Sequence, residues 1–337
     1  MRLLLILLLL SFKGYTQTYS LKQVSPAKNT SIRGLSVVSD QVAWVSGSKG
    51  YVGKSIDGGQ TWDWTQPKGF ENLDFRDIQA FDDLHAIIVN AGSPAFVLRT
   101  QDGGKSWSQQ YTNTDSLIFL DGMDFWDRQR GMIFGDPIQN QMQLLRTSDG
   151  GASWQDVTAK LKFKMKLGEA GFAASGTSIK MMNKGKVWIA TGGSIANIYF
   201  SKNYGKSWSK YPCPIMQGEN STGAFSIDFY DDKNGVVVGG NYLQDTDNSN
   251  NVLITTDGGK NWTRPKVPVF GFRSAVAYLN RNTIIAGGSS GLDISVDAGQ
   301  SWQHISNANI NALGKSDQGS LVLLTGNKGE IYTLTCQ

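Results

Sequence analysis

The chain has 337 residues and a formal net charge of +4, so it carries only a mild excess of positive charge. Glycine is abundant at 39 residues and proline is scarce at 8, which is typical of many short strands joined by tight turns. The basic residues are dispersed, and no block of five or six occurs, so a nucleic-acid partner is not predicted.

The N-terminus has the pattern of an export signal. Arg2 precedes the apolar run from Leu3 to Leu10, which is too short to span a bilayer. Small residues around Thr16 suit cleavage before Gln17. We therefore predict a signal peptide over 1–16, one domain over 17–337 and an extracytoplasmic, periplasmic or secreted location. A buried N-terminal strand is the alternative. No later stretch is apolar enough for a transmembrane segment.

An eight-residue motif recurs six times. Its first copy runs from Ser55 to Trp62, and copies follow at intervals of about 40 to 54 residues, the length of a four-stranded propeller blade. This motif is the Asp box, the bacterial neuraminidase repeat. Its carboxylate can accept hydrogen bonds from its own turn, and its tryptophan can anchor the turn. We predict a structural role for the acidic position of all six copies: Asp57, Asp102, Asp149, Asn203, Asp257 and Asp297.

A second periodic feature precedes each motif and occurs seven times. Each copy is expected to begin the first strand of a unit, and an apolar second strand follows; the copies start at Ile32, Phe75, Leu120, Phe172, Phe225, Phe272 and Ile310. The seventh unit lacks an Asp box, and the strand at 19–24 is expected to complete it. The pattern predicts an all-β, seven-bladed propeller closed by its N-terminal strand. Six blades with a spare hairpin is the alternative.

The two cysteines, Cys213 and Cys336, fall on roughly opposite sides of the predicted ring. A disulfide needs its two Cα atoms within about 7 Å, so two separate thiols are expected.

For the oligomeric state, we predict a monomer.

Blade geometry predicts where a binding site would lie. Connections between blades, and between second and third strands, emerge on the face opposite the Asp boxes. Arg33, Arg76 and Arg273 share one register at the start of inner strands, and Asp121 holds that register in the third blade. The predicted funnel sets arginines, which recognise carboxylates bidentately, against acids and would bind an anion or a peptide. Alternatively, each arginine pairs with a nearby acid and only holds loops together. The loops of this face add Asp136, Glu169, Glu219, Asn241 and Tyr242.

Other chemistry has little support in the sequence. His85 and His304 have no partner in sequence reach, so no metal site is predicted, and no dinucleotide-binding motif occurs, so no cofactor is predicted. The polar tract at 245–251 is interpreted as a solvated loop, with calcium binding as the alternative. Residues 160–166 alternate lysine with apolar side chains and are interpreted as a solvated strand or loop.

The whole predicted mature chain resembles the exported Asp-box propellers related to the photosystem II stability and assembly factor. The resemblance rests on the boxes and on segments 75–78, 134–137, 168–170 and 273–278. It implies a non-catalytic binding or assembly module with an unknown protein, peptide or glycan ligand, and an arginine patch to which Arg33, Arg76 and Arg273 could belong.

The alternative function is a glycoside hydrolase. Sialidases share the Asp box but typically have six blades and an early Arg-Ile-Pro segment, whereas Arg33 here follows Ile32 and precedes a glycine. Other Asp-box glycosidases use two carboxylates across a cleft, a role open to Asp121, Asp136, Glu169 or Glu219. A redox enzyme is a third hypothesis, because some relatives carry that label.

Overall fold

The computed structural model describes residues 18–317 and 319–336, and the predicted signal peptide lies outside them. Within these ranges the chain forms 29 strands and one short 3₁₀ helix, Thr158–Lys160. The described residues contain no helix with the length and apolar character needed to cross a membrane.

The strands group into seven antiparallel sheets that follow one another along the chain. After β1 (Tyr19–Ser25), the first three sheets consist of β2 (Ile32–Val37), β3 (Ala43–Gly47), β4 (Val52–Ser55), β5 (Asp63–Thr65), β6 (Phe75–Ala80), β7 (Ala86–Asn90), β8 (Ala95–Thr100), β9 (Ser108–Asn113), β10 (Leu120–Phe125), β11 (Gly131–Ile138), β12 (Gln141–Thr147) and β13 (Gln155–Asp156). The fourth and fifth contain β14 (Glu169–Ala170), β15 (Ile179–Met182), β16 (Lys186–Ala190), β17 (Gly192–Gly193), β18 (Asn197–Ser201), β19 (Ser209–Pro212), β20 (Thr222–Phe229), β21 (Gly235–Asn241) and β22 (Val252–Thr255). The last two contain β23 (Ala275–Tyr278), β24 (Ile284–Gly288), β25 (Gly291–Ser295), β26 (Gln303–Ser306), β27 (Ala312–Lys315), β28 (Val322–Thr325) and β29 (Ile331–Cys336).

The seven sheets close into a ring. The first strand of each blade contacts the first strand of the next, in the order β2, β6, β10, β15, β20, β23 and β27, and β27 contacts β2 again. The N-terminal strand β1 pairs with β29, from Tyr19 opposite Cys336 to Ser25 opposite Ile331. The prediction of a seven-bladed propeller closed by its own N-terminal strand is confirmed, and the six-blade alternative is wrong.

Apolar clusters fill the spaces between adjacent blades. Trp44 of the first blade packs with Ile78 and Ile88 of the second, and Leu323 of the seventh packs with Val45 of the first. Every one of these clusters combines side chains from two blades, so burial of apolar surface holds the ring together.

The six repeat turns fold as hydrogen-bonded units. In the first turn, Asp57 Oδ1 accepts hydrogen bonds from the amides of Gln60 and Thr61 at 3.0 and 2.9 Å, and Ser55 Oγ accepts one from Gly59. The Thr61 hydroxyl also donates to Asp57 Oδ2. This hydrogen bond, followed by the one from the Thr61 amide, lowers the pKa of Asp57 to about 2. The sequence prediction of a structural role for these positions agrees with this geometry.

In each turn, the glycine two residues after the acidic position also contacts the preceding blade. Gly151 has a φ of +77°, and a Cβ placed there would lie 2.2 Å from Ile87 Cδ1 of the second blade. Any larger residue would be both strained in the left-handed region and forced into the neighbouring blade. The turns therefore contribute to packing between blades as well as to each hairpin.

Three details differ from the predicted elements or refine them. The fourth inner strand begins at Ile179 and not at Phe172, because residues 171–178 leave the sheet and enter the channel. In the fifth blade the outermost strand is reduced to one bridge, between Ile254 and Thr263. The two cysteines are free, with Cys213 buried and Cys336 exposed, as expected.

Candidate functional site

A segment of the chain crosses the central channel. Residues 171–178, here named the crossing segment, connect β14 to β15 and contact blades on several sides. The Ala174 carbonyl accepts a hydrogen bond from Arg33 of the first blade at 3.0 Å. Ser175 Oγ donates to the carbonyl of Ser274 in the sixth blade at 2.7 Å, and the Thr177 carbonyl accepts from Ile227 of the fifth. The crossing segment therefore divides the channel into two ends.

Bulges in the inner strands aim side chains at one end of this channel. The pairing of β2, β6, β10 and β20 with their neighbours shifts at one residue each, namely Arg33, Arg76, Asp121 and Phe225. A bulged residue leaves the pleat and can turn its side chain out of the sheet. All four of these residues border the same cavity.

This cavity, the pocket end of the channel, has a volume of about 570 Å³. Volumes of roughly 300–1,000 Å³ are usual for sites that hold a small molecule or a short stretch of peptide. Its wall combines two arginines, two aspartates, an aromatic group, asparagines and the backbone of the crossing segment. The predicted site residues that line it are Arg33, Arg76, Asp121, Asp136 and Tyr242.

The arginine side of the pocket carries an incompletely neutralised charge. Arg76 Nε donates to Asp74 at 2.7 Å, whereas Arg33 donates to a backbone carbonyl of the crossing segment. Burial, followed by the nearby Arg76 guanidinium, lowers the pKa of Arg33. Arginine keeps its proton in proteins, so the lowered pKa reports an unfavourable charge that an anionic ligand would stabilise.

The acidic side of the pocket holds a buried carboxyl that lacks hydrogen-bond donors in the described chain. Asp121 is 1% exposed, and neither of its carboxyl oxygens has a hydrogen-bond partner among the described residues. Burial and the neighbouring Asp136 raise the pKa of Asp121 well above its usual range. Asp136 Oδ1 accepts a hydrogen bond from the Gly171 amide at 2.9 Å, and burial raises the pKa of that carboxyl too.

An aromatic wall was not predicted from the sequence. Phe172 of the crossing segment stacks on Phe225 with ring centroids 3.8 Å apart, and Phe272 and Tyr242 contact Phe225 edge-on. Tyr242 remains 48% exposed at the mouth. The signal was present, since three of these positions begin predicted strands, but the sequence does not show which face of its strand each phenylalanine occupies.

Arg273 lies outside the pocket, contrary to the prediction that three arginines converge. Its guanidinium is fully buried, with Nη2 2.6 Å from Asp293 Oδ2. Ser226 Oγ of the fifth blade accepts a hydrogen bond from the Val276 amide of the sixth, just as Asp77 of the second blade accepts one from the Met123 amide of the third. This equivalence gives Ser274 the position that Asp121 holds in the third blade. The assumed register was one residue off, and such a slip moves a side chain to the other face of its strand.

Three other predicted site residues also lie outside the cavity wall. Glu169 is buried, and its Oε1 accepts hydrogen bonds from Thr191, Asn197 and Tyr199, so it braces the fourth blade. Glu219 is exposed on the loop before β20, where it accepts weak hydrogen bonds at 3.4 Å from Ser221 and Asn241. Asn241 is 4% exposed and accepts from the Leu243 amide.

The described residues include no group of three or more histidine, cysteine, aspartate and glutamate side chains that could hold a metal ion. Both histidines face carboxylates, since His85 contacts Asp82 at 2.8 Å and His304 contacts Asp293 at 2.9 Å.

Comparisons with known proteins agree with this architecture. The sequence model of the family described as photosynthesis system II assembly factor YCF48 matches residues 16–114. The photosystem II assembly lipoprotein Ycf48 of Synechococcus sp. (strain CC9902) is 23% identical over 265 residues, which cover 76% of this chain and 70% of the relative.

Solved structures show the same fold at low sequence identity. YCF48 bound to a D1 peptide matches with a TM-score of 0.66 at 18% identity, over 95% of each chain. A GH74 xyloglucanase from Xanthomonas campestris matches with a TM-score of 0.61 at 15% identity, over 94% of this chain and 53% of that enzyme. At these identities the likeness shows the fold alone.

Fold and site together define a seven-bladed propeller of the neuraminidase-repeat type, with a divided channel and an arginine-bearing pocket at one end. Within that class, the chain resembles the photosystem II assembly factor YCF48 in sequence and in fold, as the sequence analysis predicted.

Proposed function

We propose that this chain is an exported, non-catalytic propeller that binds a segment of a client protein at the pocket end of its channel. The observation that carries the proposal is Arg33, a partly buried cation without a carboxylate partner in the described chain, next to Arg76 and facing an aromatic wall. A guanidinium suits a carboxylate, and aromatic rings suit an apolar side chain, so a short anionic peptide fits both.

The relatives support a binding function. YCF48 is an assembly factor by name, and one solved YCF48 is bound to a D1 peptide. The curated relative is a lipoprotein, which agrees with export of this chain after cleavage of residues 1–16. The client here is proposed to be an exported or membrane protein, recognised during its assembly.

The geometry gives less support to a glycoside hydrolase. Two catalytic carboxylates flank the scissile bond. Here Asp121 and Asp136 lie side by side, the Asp121 oxygens are buried, and Glu169 is occupied by three donors of the fourth blade.

Binding is tested with fluorescein-labelled hexapeptide pools by fluorescence anisotropy. We expect Arg33→Gln with Arg76→Gln to weaken binding of acidic pools at least thirtyfold, because both guanidinium groups are lost. The matched control, Arg99→Gln with Arg281→Gln, removes the same charge outside the pocket and is expected to change binding less than twofold. Equal losses in both variants, or no binding by the unaltered protein, would refute the proposal.

The client is then identified by photo-crosslinking in cells. A benzoylphenylalanine replaces Tyr242 at the pocket mouth or, as a control, Tyr230 near the opposite face; these tyrosines are 48% and 43% exposed. Discrete products are expected only from position 242, and only while Arg33 and Arg76 are intact.

A further inference from the structure

A row of four lysines follows the outer edge of the third blade. Between residues 160 and 166 the side chains alternate, with Leu161 and Met165 buried and the lysines exposed. The Met165 amide donates to the Asn140 carbonyl, which ties the row to the turn between β11 and β12. Across residues 18–317 and 319–336, none of these lysines lies in an ion pair. We name Lys160, Lys162, Lys164 and Lys166 the lysine row.

The lysine row ends at a protruding leucine. Leu167 is 88% exposed, the highest value among the large apolar side chains that are exposed in the described chain. Leu243 and Leu117, at 74% and 65%, come next, and both lie on loops of the same pocket face. An isolated exposed leucine needs no explanation, but a leucine joined to four unpaired lysines has the composition of a membrane-interface segment.

We propose that the lysine row and Leu167 attach this protein peripherally to an anionic bilayer surface. Alternate residues of a fully extended chain lie about 7 Å apart, so the backbone positions of the four positive charges span at most about 20 Å. The exposed ammonium groups have no fixed geometry, which suits diffuse lipid phosphates better than a single positioned carboxylate. Leu167 enters the headgroup region beside them and brings the rim of the pocket face to the membrane.

The attachment is measured by co-sedimentation with vesicles of 30% phosphatidylglycerol in phosphatidylcholine. Substitution of all four lysines of the row by glutamine is expected to weaken partitioning by about six hundredfold, because each lysine near an anionic surface contributes about a fivefold gain. The matched control substitutes Lys105, Lys202, Lys206 and Lys260, which carry the same charge on exposed positions of the repeat turns. It is expected to change partitioning less than threefold.

All variants share one N-terminus, so the apolar run at 3–10 contributes equally to each. Pure phosphatidylcholine vesicles report any binding by that run. The Arg33→Gln, Arg76→Gln variant is expected to keep its vesicle binding, which separates this proposal from the pocket function.

Insertion is followed with a polarity-sensitive dye. Leu167→Cys, in a Cys336→Ser background, is expected to shift the emission of its attached dye to the blue on anionic vesicles. The control Ile56→Cys, 60% exposed on a repeat turn, is expected to show no shift. Equal losses in both lysine variants, no binding by the unaltered protein, or binding of an octaglutamate peptide without vesicle binding would overturn the proposal.

Discussion

Buried aspartates have different hydrogen-bond partners at the two ends of the channel. At the far end, which opens into a cavity of about 880 Å³, Asp77 Oδ2 accepts from the Met123 amide of the next blade and Oδ1 from the Ile78 amide. At the pocket end, Asp121 is also buried, but no hydrogen-bond donor reaches it among the residues that the structure describes. Burial raises the pKa of both carboxyls, to about 8 for Asp77, but the hydrogen bond from Met123 to Asp77 also joins two blades, and Asp121 accepts no such bond within the described residues. The difference supports the proposal that the pocket end binds a ligand, while the carboxylate of the far end contributes to contacts between blades.

The same contrast separates the arginines. Arg273 is fully buried against Asp293 and stabilises the sixth blade, whereas Arg33 faces the cavity and donates to a backbone carbonyl. Residue type alone does not distinguish the two roles; the partner does.

The largest expected effect comes from Asp77→Ala. It leaves the buried amides of Met123 and Ile78 without acceptors, so we expect a loss of about 2–4 kcal/mol in the free energy of unfolding. Equilibrium urea unfolding measures this loss. The affinity for acidic peptides, measured without urea at equal concentrations of folded protein, is expected to stay within twofold of the unaltered protein. A loss of stability below about 0.5 kcal/mol would contradict the contribution of the far-end carboxylate to contacts between blades.

Asp121→Asn is expected to have a smaller effect that depends on pH. The folded-state pKa of Asp121 is raised, so the unfolded chain loses its proton first and the stability of the native protein falls as pH rises above about 4. The amide variant lacks this penalty and is expected to be the more stable protein above pH 5. The gap should widen by at most about 1.4 kcal/mol per pH unit. Thermal unfolding of both proteins between pH 4 and 8 measures this difference in stability. A difference that does not change with pH would contradict a raised pKa of Asp121.

The smallest effect is expected at a repeat turn. Asp57→Ala removes acceptors from an exposed turn and is expected to cost about 1 kcal/mol. Asp57→Asn should cost less, because the fourth turn already uses Asn203, whose Oδ1 accepts from the Ser207 amide at 3.0 Å. The pKa of Asp57 is lowered to about 2, so its stabilising contribution is present above pH 4 and is lost as pH falls towards 2. Urea unfolding of both variants at pH 7 and pH 3 checks the order.

Much of the fold could be predicted because the repeat is local. Each turn from Asp57 to Asp297 satisfies its own backbone within a few residues, so six copies in phase report blade number and spacing directly. The closing strand was also predictable, since a blade without an Asp box needs a partner and the alternating segment at 19–24 supplies it.

The site was predicted only in part. Arg33, Arg76, Asp121, Asp136 and Tyr242 do meet in one cavity. Arg273 does not, because a shift of one residue in the sixth blade exchanges it with Ser274. A repeat of variable length does not fix register to one residue; the hydrogen bonds between blades do.

The sequence by itself determined the number of blades, their order and the face that carries the loops, because those properties follow from turns and strands that are satisfied over short distances. Only the tertiary structure decided which charges remain free. The crossing segment divides the channel through contacts with residues up to 141 positions away, such as the hydrogen bond from Arg33 to the Ala174 carbonyl. Whether a buried charge is neutralised depends on such distant partners, and no local pattern records them.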